Sequence, residues 1–197
     1  MSLGTTELTA FILAGGNSTR MGTDKAFVML DGRTLLARAL EVCRTITSEV
    51  RIIGDWNKFA PFAPVVEDVF PGCGPLAGIH AALRASQTDW NVVLAVDLPF
   101  VSPALLHFLV AQATESRAIV TVPQAGKGWQ PLCAVYRRGF VDAAETALRA
   151  GRYKIDALFD PALTHPIGEQ DLRSAGFSPE VFRNLNTPEE LAEARNS

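Results

Sequence analysis

Uninterrupted apolar runs alternate along this chain with stretches in which apolar residues return every three or four positions. The runs at 8–14, 50–53, 65–67, 92–96, 118–122 and 132–136 are rich in Val, Ile, Leu and Ala. Such runs predict strands covered on both faces. A further short strand is expected at 182–185. Helices are expected between them. Residues 34–45 set Leu35, Leu36, Ala39, Leu40 and Cys43 on one stripe. Residues 76–85, 103–114, 139–150 and 188–194 complete the helical set. Ser102 stands at a cap position, with Pro103 first in its helix. Thr187-Pro188-Glu189-Glu190 repeats that start, with acids at the positive end of the helix dipole. Residues 151–177 are the least regular.

Strands alternating with helices predict an α/β fold: three layers, α/β/α and Rossmann-like, around a mostly parallel sheet. The 197 residues suit a single domain over 1–197, with 1–7 flexible. No repeat or interdomain linker breaks the pattern. Ligands of such sheets bind at the carboxyl ends of the strands. Two segments of unusual chemistry fall there.

The first is Leu13-Ala14-Gly15-Gly16-Asn17-Ser18-Thr19-Arg20-Met21-Gly22-Thr23-Asp24-Lys25. Glycines let several backbone N–H groups converge on one anion, and Arg20 and Lys25 add full positive charge. The loop suits a triphosphate. Five residues separate Gly16 from Gly22, so the G-x-x-x-x-G-K-[ST] spacing fails. No G-x-G-x-x-G follows the first strand either. The plain alternative is a tight basic turn. The second segment is Asp97, directly after the run 92–96. Beside a phosphate loop a carboxylate repels the nucleotide unless a cation intervenes, and Mg²⁺ binds through one or two carboxylates plus phosphate oxygens. Asp97 is therefore a candidate metal ligand; stabilising the turn before Pro99 is its simpler role.

Quieter candidates follow. Gly74-Pro75-Leu76-Ala77-Gly78 brackets a turn into a helix and leaves backbone N–H groups open to a base or ribose, or is a plain helix start. Glu67-Asp68 can offer acceptors to the nucleoside, or form an exposed acidic turn. Gln130, Asn184 and Asn186 sit where amides bind either a ligand or local backbone. His80, His107 and His165 lack metal-ligand spacing, and no G-x-S-x-G or cysteine nucleophile is present.

Composition narrows the partners. A formal charge of −3 with scattered Lys and Arg argues against nucleic-acid binding. Cys43, Cys73 and Cys133 are odd in number and far apart, which suits packed thiols in a reducing cytoplasm. No signal peptide opens the chain, and no apolar run approaches the ~20 residues that span a bilayer, so no membrane partner is expected.

The loop at 13–25 resembles the signature of nucleotidyltransferases with the sugar-nucleotide-pyrophosphorylase type of fold. Together with Gly74-Pro75-Leu76-Ala77-Gly78, Asp97-Leu98-Pro99, Gln130-Pro131-Leu132 and Asn184-x-Asn186-Thr187-Pro188-Glu189, it is similar to the molybdenum cofactor guanylyltransferase family. The resemblance runs in order from residue 13 to residue 190. It implies transfer of GMP from GTP to molybdenum-bearing molybdopterin, with pyrophosphate leaving. It implies nucleotide contacts from Leu13, Ala14, Gly15, Gly16, Lys25, Asp68, Gly74, Pro75, Leu76, Gly78 and Asp97. Arg20, Lys25 and Asp97 would be catalytic, with Mg²⁺ on Asp97. Gln130, Asn184 and Asn186 would hold the acceptor. Proteins that supply and receive the labile cofactor are implied as partners. One position departs: Gly54-Asp55 stands where family members often place an asparagine that touches the nucleotide, leaving Asp55 or a backbone group to replace it. Alternatives are a molybdopterin cytidylyltransferase, a sugar-phosphate nucleotidyltransferase, or a non-catalytic carrier of nucleotide or molybdopterin.

Overall fold

The computed structural model describes residues 8–15, 24–126 and 128–185. The expectations for 1–7, Gly16, Arg20, Asn186 and the helix at 188–194 lie outside the described residues. The elements in chain order are β1 (Leu8–Leu13), β2 (Met29–Leu30), β3 (Arg33–Thr34), α1 (Leu35–Arg44), β4 (Val50–Ile53), α2 (Trp56–Phe59), β5 (Val65–Val66), α3 (Pro75–Ala85), β6 (Trp90–Ala95), α4 (Pro103–Glu115), β7 (Val120–Ala125), β8 (Gly128–Trp129), β9 (Cys133–Arg137), α5 (Phe140–Arg149), β10 (Thr164–Ile167) and α6 (Glu169–Ser174).

The main sheet runs β10-β7-β9-β6-β1-β4-β5, with β8 paired to β7. Strands β1, β4, β5 and β6 are mutually parallel where they pair, as are β7 and β10. β9 alone in that order is antiparallel to both neighbours, β6 and β7. The sheet is thus mostly parallel, as expected. Side chains alternate across it with the two-residue period of a strand. In β1, Leu8, Ala10 and Ile12 join one apolar cluster with residues of α1, α4 and α6. Phe11 and Leu13 join the opposite cluster with residues of α3 and α5. Helices therefore cover both faces, which explains why every residue of β1 is buried.

Caps start the helices where the side chains allow. The Thr34 hydroxyl accepts the Ala37 N–H at 3.1 Å, and the Ser102 hydroxyl accepts that of Leu105 at 3.3 Å. Two expectations need correction. The stretch 151–177 holds β10 and α6. The expected strand at 182–185 is absent: Pro179–Phe182 forms a 3₁₀ turn instead, started by the Ser178 hydroxyl and by Pro179. Proline fixes the backbone for such a turn and cannot donate to a sheet ladder.

Candidate active site

β1, β4 and β6 end side by side, and their C-terminal residues floor a cleft of about 590 Å³. Leu13, Ala14 and Gly15 come from β1, Ile53 from β4, and Ala95, Val96 and Asp97 from β6. Leu132 enters from the N-terminal end of β9, because that strand runs the opposite way. The Ile53 carbonyl accepts the N–H groups of both Ala14 and Gly15 at 3.0 Å, steering the chain off the sheet. The Val96 N–H donates to the Leu13 carbonyl at 3.1 Å, so the two strand exits are tied.

Two ion pairs cross this cleft. Lys25 Nζ lies 3.4 Å from Asp97 Oδ2, and each side chain is about one-fifth exposed (18% and 21%). Lys25 opens the 3₁₀ turn Lys25–Phe27, which Asp24 caps by accepting the Ala26 N–H on Oδ1 at 3.1 Å. The other carboxylate oxygen of Asp24 takes Lys58 Nζ at 3.0 Å. That hydrogen bond and the Asp24 charge raise the Lys58 pKa above the ordinary lysine value.

The remaining wall is the segment from Asp68 to Gly78. Asp68 is exposed, yet the surrounding protein removes enough water from its carboxyl to raise its pKa, against a lowering from His80. Gly74 has φ +72°, a conformation that side chains resist, and Pro75 follows as the first residue of α3. The start of α3 thus turns sharply into the cleft, and a helix N-terminus favours negative charge. At Gly78 a Cβ would meet Leu13 Cδ2 at 3.1 Å, so the helix lies close on the strand end.

Residues 10–165 match the model of the MobA-like NTP transferase domain. The chain belongs to that family. A molybdenum cofactor guanylyltransferase of Desulfosudis oleivorans is 34% identical over 195 residues, covering 95% of this chain and 94% of that protein. The crystal structure of molybdopterin-guanine dinucleotide biosynthesis protein A from Archaeoglobus fulgidus superposes with a TM-score of 0.83 at 29% identity, covering 95% and 97% of the two chains. The 2-C-methyl-D-erythritol 4-phosphate cytidylyltransferase of Thermus thermophilus shares the fold, with a TM-score of 0.64 at 19% identity over 94% and 96%.

Among the residues singled out from sequence, Leu13, Ala14, Gly15, Lys25, Asp68, Gly74, Pro75, Gly78 and Asp97 all line the cleft. Leu76 does not: its side chain is wholly buried in the core with Phe11 and Ile79. Helical spacing puts Pro75 and Gly78 on one face and turns Leu76 away, leaving only its backbone for a ligand. The Gln130 side-chain amide donates to the Ala125 carbonyl at 3.3 Å, its main-chain N–H donates to the Pro123 carbonyl, and its own carbonyl accepts the Cys133 N–H. Asn184 is exposed, and the Leu185 N–H donates to the Asp97 carbonyl at 3.1 Å, docking that segment behind the carboxylate.

Gly54 now has a physical reason. A Cβ there would stand 2.7 Å from the ring of Phe59, which is buried and stacked on Phe27. One oxygen of the Asp55 carboxylate caps α2 by accepting the Asn57 N–H at 2.8 Å. Sequence reading missed Lys58 as a site residue. The available signal was its place just beyond the carboxyl end of β4, where α/β ligands gather.

Proposed function

We propose that this protein transfers the guanylyl group of GTP to molybdenum-bearing molybdopterin and releases pyrophosphate. The Lys25–Asp97 pair at the strand ends, in a member of this family, carries the reading. Guanylyltransferase relatives that align over nearly the whole chain support the choice of base and acceptor. The terminal phosphate of the acceptor attacks the α-phosphorus of GTP. One P–O bond forms, the bond to the β-phosphate breaks, and pyrophosphate departs with the electron pair. A phosphate monoester at neutral pH is already a nucleophile and needs little base assistance. Charge builds on the leaving group, and Lys25, Arg20 and backbone N–H groups offset it.

The donor set fits Mg²⁺. Asp97 presents a partly exposed carboxylate to the cleft. Asp97 would hold the ion, a hard cation that takes carboxylate oxygen. When bound, Mg²⁺ supplies charge neutralisation at the phosphates. Leu13, Ala14 and Gly15 meet the nucleotide through backbone, and Asp68 and the start of α3 meet the nucleoside. Asn184 and Asn186 serve the acceptor. We assign the whole chain to one domain acting in the cytoplasm, exchanging cofactor with supplying and receiving proteins; no helix among the described residues is long and apolar enough to cross a membrane.

The deciding experiment gives the protein molybdenum-molybdopterin and Mg²⁺ with GTP, CTP, UTP or ATP in turn, and measures pyrophosphate and dinucleotide product. GTP should be preferred. Preference for CTP would overturn the guanine assignment. Tight nucleotide binding with no pyrophosphate release would make the protein a carrier.

A further inference from the structure

Three acids and two lysines line the described cleft: Asp24, Asp68, Asp97, Lys25 and Lys58. A triphosphate must enter against those acids. Lys25 already stands against Asp97. Lys58 is the remaining lysine, and it comes from a different element, the short helix α2. That helix is firmly seated. Asp55 caps its start, and Phe59 is buried against Gly54 and Phe27. The seat fixes where the stem of Lys58 begins, while its side chain stays 51% exposed at the cleft wall. Its partner Asp24 is fixed too, since its other carboxylate oxygen caps the turn that carries Lys25. An ion pair this exposed is weakly held, so a polyanion in the cleft easily competes for the ammonium.

We propose that Lys58 is a phosphate-binding residue of this site, whose ammonium leaves Asp24 for the triphosphate when a nucleotide enters. The inference rests on nucleotidyl transfer but concerns the triphosphate only, so it does not depend on guanine. Lys58 and Lys25 then hold the phosphates from two elements, with Asp24 as the resting partner of one and the cap of the other.

The test compares binding of GTP and of guanosine, with Mg²⁺, by wild type, Lys58→Ala, Lys58→Arg and Asp24→Asn. Lys58→Ala should weaken GTP about tenfold, the size of one charge-assisted hydrogen bond, and leave guanosine unchanged. Lys58→Arg should recover most of the loss. The melting temperature of Lys58→Ala should stay within about 2 °C of wild type, as for an exposed pair. Asp24→Asn keeps an oxygen for the cap and removes the charge that holds Lys58, so any loss of GTP affinity should be smaller than in Lys58→Ala. Unchanged GTP affinity in Lys58→Ala would overturn the proposal. So would equal losses for GTP and guanosine, or a loss in Asp24→Asn as large as in Lys58→Ala. If the wild type proves to prefer CTP, the same comparison with CTP and cytidine still decides the role of Lys58.

Discussion

Lys25 and Asp97 are 72 residues apart in the chain and 3.4 Å apart in the cleft. Neither is deep in the core, so each can be removed without opening a cavity. Asp97→Ala and Lys25→Ala should each lower turnover by about 10²–10³-fold or more, the scale of losing one preorganised charge at a transition state. Steady-state rates and thermal melts of the two variants check this: unfolded variants, or rates near wild type, would remove the pair from the mechanism. Gly54 makes a different point. Gly54→Ala pushes a methyl group into Phe59 and should cost about 1–3 kcal/mol, as overpacking does, read by denaturant unfolding. At this scale residue type was informative where chemistry is rare, as for a lysine in a glycine-rich loop or an aspartate after an apolar run. It said nothing of side-chain direction. Leu76 belongs to a suggestive motif, yet the helix turns its side chain into the core.

Among elements, long apolar runs and capped helices were legible because burial and capping leave marks on consecutive residues. Ser102 caps as expected, Thr34 proves to be the cap of α1 and not its first residue, and β1, β4 and β6 fall where the runs lie. Short polar elements left weaker marks. The β2–β3 hairpin turns at Asp31-Gly32, both with positive φ, a pairing that suits a tight hairpin. β10 contains Pro166, and only its Ile167 is buried, because it lies at the sheet edge. Packing between α3 and α5 added a buried contact to a pair that lies within α5. Glu145 of α5 bonds Arg149 at 2.6 Å and reaches the buried His80 of α3 at 3.4 Å. Arg149 first, then His80, lowers its pKa below the ordinary carboxylate value. A lowered carboxylate stabilises the fold above its unfolded pKa, and that contribution fades as pH falls through the lowered value. Glu145→Gln should therefore melt slightly lower at neutral pH, and the gap to wild type should close under acid; thermal melts across pH check it.

The whole molecule makes the cleft by gathering strand ends, so ligand and fold stabilise each other. A nucleotide at about 100 times its Kd should add about 2.7 kcal/mol. The melting temperature should rise with GTP and Mg²⁺, and chelating the metal should remove part of the rise; no shift with any nucleoside triphosphate would empty the cleft of its assigned role. The apolar pattern by itself determined a mostly parallel sheet covered on both faces, because burial on two sides demands continuous apolar runs. The loop at 13–25 and Asp97 by themselves pointed to phosphate and metal, because few other chemistries need those residues at strand ends. Only the tertiary structure decided that β9 runs antiparallel, so that Leu132 enters the cleft from the far side of β6. Only it brought Lys58 to Asp24 and set Phe59 against Gly54. Strand direction and contacts between distant elements depend on how the layers pack, and packing is a property of three dimensions that no local stretch of chain records.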